Sequence, residues 1–292
     1  MKDMKVSLSI TNYSWPAPEI AANLAVTAQA AEAAGLDTVW VADHLMQADP
    51  ASRPDEPMLE AYTALGYVAG QTRRVHLGTM VSGATFRAPA LLVKAVTTLD
   101  VLSGGRAWLG IGAGYNDDEA VAMGLEPPSV SHRFDQLEDT VEIARRMWAG
   151  DSSAFHGRRH RLERPVSSPR PLSRPGPRLL IGGTGARRTL RLVAERADAC
   201  NLFDIPDGGE TVRRQLDTLA RHCEDVSRPF EQIEKTISTA LEPSEPTARF
   251  VDRCAVLGDV GIEHVVVIMR GQPWTQGAIS RLGDAATQLA AA

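Results

Sequence analysis

The chain is short of several things, and each shortage removes a class of function. Cys200, Cys223 and Cys254 are the three cysteines in 292 residues, widely spaced and with no C-x-x-C. They fit reduced thiols in the cytoplasm, not a disulfide framework or a cysteine-built zinc site. Lysine is almost as scarce: Lys2, Lys5, Lys94 and Lys235 stand among 31 basic residues, the rest being arginine. Against 36 acidic residues this leaves a formal charge of −5, without the basic footprint that a nucleic-acid partner needs. No stretch approaches the ~18 uninterrupted apolar residues of a membrane span. The opening residues also lack the apolar core and small-residue cleavage site of a secretory signal. The expectation is a soluble, cytoplasmic protein with neither nucleic acid nor membrane as partner.

Familiar catalytic motifs are missing too. There is no GxSxG elbow, no GxxxxGK[ST] phosphate loop and no HExxH, and no metal site is expected. His156 and His160 share helical spacing but lie in an arginine-rich stretch and read as solvated. Asp43, Asp117, Asp118 and Glu119 are candidates for a glycosidase carboxylate pair, whose separation the sequence leaves open.

What is present is alternation. Short β-leaning runs at 6–10, 38–42, 75–81, 107–111, 179–181, 199–203, 233–239 and 264–269 are each followed by a helical pattern. Pro18 and Pro89 stand where a helix tolerates proline, and Gly35 and Ser103-Gly104-Gly105 stop two of the helices. Helices are expected at 58–69, 131–149, 186–195, 211–224, 247–257 and 279–289. Residues 150–177 break the rhythm; rich in proline and arginine, they read as an excursion with a short hairpin around Gly157. Strand–helix alternation implies a parallel sheet, and eight units in this length imply a (β/α)8 TIM barrel with an insertion around residues 150–177. An open doubly wound sheet would place glycines after its first strand, where this chain has Asn12-Tyr13-Ser14-Trp15. The whole chain, 1–292, is read as one barrel domain.

In a barrel the chemistry sits where strands meet the loops that follow them. The second strand ends in Asp43-His44, an acid beside an imidazole suited to proton transfer; taken alone, the pair is better explained as a helix-capping aspartate with an incidental histidine. The fourth ends in Gly110-Ile111-Gly112-Ala113-Gly114-Tyr115-Asn116, which fails GxGxxG because Tyr115 takes the last glycine position. The fifth ends in Ile181-Gly182-Gly183-Thr184-Gly185, which is either a phosphate cradle or a tight turn. Tyr13, Trp15, Phe86 and Arg87 follow strand ends and are candidate substrate walls, or ordinary loop packing.

Taken together, Asp43-His44, Leu77 to Val81, Phe86-Arg87-Ala88-Pro89, Leu99 to Arg106, Gly110 to Asn116, Arg133-Phe134-Asp135 and Ile181 to Gly185 resemble the bacterial luciferase-like flavin and deazaflavin oxidoreductases. Within them the chain is most similar to the branch that uses coenzyme F420, a 5-deazaflavin. The likeness runs from about Leu36 to Asn201, in order and at compatible spacing.

That resemblance implies a barrel with a ring lying over the third strand, where a non-prolyl cis peptide would fall at Met80–Val81. It implies that Gly182, Gly183, Thr184 and Gly185 hold the cofactor phosphate and that Gly114, Tyr115 and Asn116 line its ring edge or side chain. His44 would face the reacting substrate, with Asp43 orienting that neighbourhood. The implied activity is hydride transfer between F420 and a small organic substrate. The alternatives are an FMN-dependent monooxygenase on the same scaffold and a flavin-binding protein without turnover. The arginines from Arg158 to Arg178 could attract an anionic cofactor tail or form a solvated loop. The glutamate that serves as acid in the family's sugar-phosphate dehydrogenases would fall near Tyr115 or Asn116, and no lysine set suits a sugar phosphate, so that substrate is disfavoured. A homodimer fits the family's habits.

Overall fold

The computed structural model describes residues 4–291; residues 1–3 and 292, which the one-domain reading includes and which hold Lys2, lie outside the described residues. The elements run β1 (Lys5–Ile10), α1 (Ile20–Ala33), β2 (Thr38–Val41), α2 (Ala61–Gln71), β3 (His76–Thr79), β4 (Ser82–Gly83) and α3 (Pro89–Ser103). They continue β5 (Trp108–Gly112), α4 (Asp117–Ala122), α5 (Val130–Ala149), β6 (Phe155–His156), β7 (Arg161–Leu162), β8 (Arg178–Gly182) and α6 (Thr189–Arg196). The chain ends with β9 (Ala199–Phe203), α7 (Glu210–Asp225), β10 (Glu234–Ala240), α8 (Thr247–Asp259), β11 (His264–Ile268) and α9 (Gln276–Ala290).

One sheet carries the strand order β3-β2-β1-β11-β10-β9-β8-β5-β4, with every pairing parallel. β3 and β4 are two halves of one barrel strand: β3 pairs with β2, β4 pairs with β5, and Leu77 bridges Ala107 to close the ring. The architecture is therefore the expected (β/α)8 barrel. The third strand differs from the continuous run read at 75–81, because it breaks at Met80–Val81, where the peptide bond is cis. Hydroxyls bracket the break. Tyr62 Oη lies 2.9 Å from Ser82 Oγ, which is 3.0 Å from Thr79 Oγ1, and Thr79 donates to the Gly110 carbonyl at 2.9 Å.

Two apolar regions follow from the pleat, since alternate residues of each strand face the helices or the barrel axis. The larger lies between strands and helices and holds Val6, Leu8, Val39, Leu77, Leu109, Ile181 and Val265 against α-helical leucines and alanines. The smaller fills the barrel itself with Trp40, Trp108, Leu180, Ala199 and Val266, and Met80 and Val81 pack on top of it. Trp40 and Trp108 meet edge to face at 5.5 Å. A side chain at Gly78 would stand 2.7 Å from Trp40 and 2.9 Å from Trp108, so glycine is what lets the two indoles share the axis.

The Ser103-Gly104-Gly105-Arg106 segment is a terminus device. Gly104 adopts φ +75 as the C-cap of α3, and buried Arg106 donates to the carbonyls of Ala69, Thr72, Val75 and Ser103. Three of those carbonyls, of Ala69, Thr72 and Ser103, lie at helix C-termini, where the last carbonyls have no partner within the helix.

The excursion holds the hairpin expected at Gly157, β6 against β7. Two buried carboxylates pin it by their acceptor oxygens. Asp139 takes the N–H groups of Arg158, Arg159 and His160, and Asp100 takes those of Leu172 and Ser173. Elsewhere the differences from the sequence reading are of boundary. α2 begins at Ala61 because the Glu60 side chain caps Thr63 at 2.7 Å, and α6 begins at Thr189, three residues past Ala186. α4 is an added helix, capped by Asn116, where the sequence showed only a glycine-rich loop.

All three cysteines are free and buried, and burial pushes the thiols of Cys200 and Cys254 up to about 12. Among the described residues no helix is long and apolar enough to cross a membrane, and no group of three or more His, Cys, Asp or Glu is arranged to hold a metal ion.

Candidate active site

The C-terminal ends of β2, the broken third strand, β5, β8 and β9 open on one groove of about 590 Å³. Its floor is Met80 and Val81; Gly114, Tyr115 and Asn116 form one side, and Gly182, Gly183, Thr184 and Gly185 close the far end. Asp43, His44 and Phe86 also reach it. So the residues proposed for cofactor contact from four separate strand ends do converge.

The backbone at the far end is bare by necessity. Gly183 has φ +121, a conformation other residues rarely adopt. A Cβ at Gly182 would lie 3.0 Å from Val81, and one at Gly185 would lie 2.8 Å from the Thr189 hydroxyl. Because α6 starts at Thr189, the glycines belong to a loop ahead of the helix and not to its first turn.

Asp43 is buried and already committed. Arg87 grips it with two hydrogen bonds of 2.6 and 2.9 Å, reaches Glu60 at 2.6 Å, and lies over the Tyr62 ring. Burial weakens the charged form of the Arg87 guanidinium, but Asp43 and Glu60 outweigh it and hold the group above its ordinary range. Asp43 thus anchors a loop, and Arg87 is a structural ion-pair partner instead of a substrate wall.

His44 is the side chain left facing the cavity. Its Nδ1 lies 2.7 Å from Glu119 Oε2, and its Nε2 lies 3.4 Å from Tyr115 Oη, with the two rings edge to face. Glu119 is buried, and its other oxygen accepts the N–H groups of Leu45 and Met46. Burial pushes its carboxyl up, yet the His44 hydrogen bond and charge, with those two N–H groups, carry it below the ordinary carboxylate range.

A second cavity of about 980 Å³ adjoins the groove and shares His44, Met80, Tyr115, Phe203 and Ser238 with it. The long loop after β2 supplies one wall through Gln47 to Pro50, and the loops after β10 and β11 supply the other. Arg253 in that wall is tied to Asp204, Thr239 and Glu245.

Three sequence expectations need correction. Tyr13 is fully buried in the apolar core, where Trp15 packs edge to face on it at 6.3 Å, and neither lines the groove or the cavity that adjoins it. The cause is local: Asn12 accepts the Ser14 N–H at 2.8 Å and turns the chain so that Tyr13 points inward. Arg178 opens β8 at the opposite end of the barrel, beside Glu234 and Trp108, too far round to meet a cofactor tail. His160 is half-buried against Asp139 instead of solvated.

Other groove residues were not singled out as site residues from the sequence: Ser82, Phe134, Thr189, Asn201, Phe203 and Ser238. Asn201 carried a signal, being a polar residue inside a buried strand; it donates to Ser238 and accepts from Thr236. Glu119 was seen as a carboxylate, but nothing in its spacing announced His44 as its partner.

A groove lined by several strand ends at the barrel mouth, with both a glycine loop and an imidazole on its wall, lies where proteins of the (β/α)8 class carry their sites. Residues 4–255 match the family described as luciferase-like monooxygenase, and the chain belongs to that family. It is 37% identical over 128 residues to an F420-dependent glucose-6-phosphate dehydrogenase of Amycolatopsis mediterranei, covering 44% of this chain and 38% of that protein. It is 32% identical over 232 residues to the protein of the same name in Kineococcus radiotolerans, covering 78% and 66%. The matches therefore span less than two thirds of either relative. Among solved structures, an F420-dependent secondary alcohol dehydrogenase in complex with an F420-acetone adduct superposes with a TM-score of 0.82 at 17% identity, covering 98% of each chain.

Proposed function

We propose that the protein is an oxidoreductase that moves a hydride between coenzyme F420 and a small organic substrate. The observation that carries this reading is the convergence of His44, Met80–Val81, Gly114–Asn116 and Gly182–Gly185 on one groove. The names of the relatives supply the cofactor's identity, and the residues fit such a group. Met80 and Val81 offer an apolar floor for a flat ring, and the loop offers a phosphate the backbone N–H groups of Thr184 and Gly185, that of Gly183 being given to the Asn201 carbonyl at 3.1 Å.

When bound, a deazaflavin supplies a ring carbon that accepts or releases a hydride. The chain's own contribution is position and a proton path. Val81 and Met80, packed on the inner cluster, would support the ring, and the glycine loop would hold its phosphate end. His44 lines both the groove and the adjoining cavity, so a substrate in that cavity would have its reacting carbon near the ring and a polar atom near Nε2. Holding two reactants face to face accounts for much of the rate in such reactions. The reading takes the protein as a cytoplasmic enzyme and, on family resemblance, a homodimer.

The second reading is an FMN-dependent monooxygenase, favoured by the family's own description. Titrating the purified protein with F420 and with FMN, followed by fluorescence, separates the two. Saturable binding of F420 supports the proposal; tight binding of FMN with no response to F420 replaces it with the monooxygenase.

A further inference from the structure

We infer that Glu119 is a positioning residue that decides which ring nitrogen of His44 is bare, and thereby makes Nε2 the proton acceptor at the barrel mouth. The chemical meaning rests on the oxidoreductase reading; the geometry and its test do not.

The argument begins with what each atom can do. An ionised carboxylate only accepts hydrogen bonds. Glu119 Oε2 stands 2.7 Å from His44 Nδ1, so Nδ1 carries the proton, and in the neutral ring Nε2 is left with a free lone pair. That lone pair faces Tyr115 Oη at 3.4 Å and the two joined cavities. The other acids nearby are engaged elsewhere: Asp43 by Arg87, and Asp117 by Arg133 at 2.6 Å.

Glu119 is also held so that its two oxygens cannot trade roles. Oε1 takes both the Leu45 and Met46 N–H groups, directly after His44 in the chain, which leaves Oε2 for the ring. The missing acid of the sugar-phosphate dehydrogenases is not replaced at Tyr115 or Asn116.

The step this supports is oxidation of a substrate hydroxyl. The carbon's C–H bond breaks and its electron pair leaves as hydride to the oxidised deazaflavin. The O–H bond breaks and the proton goes to His44 Nε2, and a carbonyl forms. The substrate loses two electrons and the cofactor gains them. The imidazolium that results lies against the ionised Glu119, and the reverse reaction returns the proton from Nε2.

The direct test uses 15N-histidine-labelled protein without cofactor, at about pH 8, well above the ordinary histidine pKa of ~6.5. Long-range proton–nitrogen correlation spectra report the tautomer of each of the seven histidines, and His44 is assigned by its loss in His44→Gln. The Nδ1–H form supports the inference; the Nε2–H form in the unmodified protein overturns it. Glu119→Gln sharpens the point. Its amide oxygen can keep the Leu45 and Met46 N–H groups, which turns the NH₂ towards Nδ1 and forces the proton onto Nε2. The expected result is an unchanged melting temperature, an inverted tautomer, unchanged F420 affinity and turnover lowered about 10²- to 10⁴-fold, the usual range for a lost general base. Retention of the Nδ1–H tautomer, or of full turnover, in Glu119→Gln contradicts the inference. If the variant does not fold, the tautomer of the unmodified protein still decides. Failure of the protein to bind F420 sinks the oxidoreductase reading and leaves the tautomer result standing.

Discussion

At the base of the barrel, His264 Nδ1 lies 2.8 Å from Glu234 Oε1, and at the mouth His44 Nδ1 lies 2.7 Å from Glu119 Oε2. The pairs are chemically alike, and their second nitrogens differ. His264 Nε2 meets Ser7 Oγ at 2.5 Å, and Ser7 also accepts the Thr38 N–H, so that ring is wholly enclosed. His44 Nε2 has one long contact, to an exposed tyrosine, and a cavity beyond it. Lys5 and Arg178 add charge around Glu234, and Arg178 covers Trp108 at 4.1 Å, so the base is sealed as the mouth is open. The difference teaches that a serine–histidine–glutamate line is not a catalytic site when nothing can reach it. In barrels the base serves stability and the mouth serves chemistry.

Paired substitutions give the sharpest break in that comparison. His44→Ala should lower turnover about 10²- to 10⁴-fold with little change in melting temperature. His264→Ala should do the reverse, costing about 3 kcal/mol of stability by emptying the enclosed ring's place and taking a partner from both Ser7 and Glu234, with catalytic constants of the folded fraction unchanged. Denaturant unfolding and steady-state kinetics on both variants measure this. Equal losses of stability would erase the distinction drawn between the two ends.

The next largest effect concerns acid. Burial pushes the Glu234 carboxyl up, but the His264 hydrogen bond and charge, Arg178 and Lys5 together hold it at about 2, below its usual 4.5. A carboxylate with a depressed folded-state pKa stabilises fully above its unfolded value. That contribution is lost as pH falls through the window from about 4.5 to 2, and it amounts to about 3 kcal/mol at most. Glu234→Gln should flatten the acid limb of the stability curve over that window, as read by unfolding at stepped pH.

A smaller effect belongs to the mouth. Gly183→Ala places a side chain at φ +121 with its Cβ 3.3 Å from Thr189, and F420 affinity should fall roughly tenfold, equivalent to about 1.4 kcal/mol. Isothermal titration checks it. Smallest of all, Arg158→Gln should change neither binding nor stability beyond about 0.5 kcal/mol, because Arg158 is exposed and its ion pairs are with Asp135 and Glu138 at the surface.

The same contrast explains what the sequence disclosed. Parallel strands read clearly, because runs such as Thr38–Val41 and His264–Ile268 are buried on both faces and nearly continuous in apolar residues. Glycine and Asp-His at strand ends were visible for the same reason: they interrupt those runs at the place where a barrel keeps its site. What stayed hidden depends on pairs distant in the chain. His44 and Glu119 are 75 residues apart, and His264 and Ser7 are 257 apart; no local period links either pair. Tyr13 misled because position after a strand does not reveal which way a turn sends the side chain. The break at Met80–Val81 came from family resemblance alone, since hydropathy runs unbroken across it.

The account stands or falls on the loops after four strands holding one flat, phosphorylated redox molecule. A crystal structure of the protein with F420 bound tests this directly. The predicted result is a ring over Met80 and Val81 with an edge beside His44, and a phosphate against the backbone of Gly183 to Gly185. A ligand seated elsewhere, or a ring in place with its phosphate turned away from that glycine loop, would contradict it.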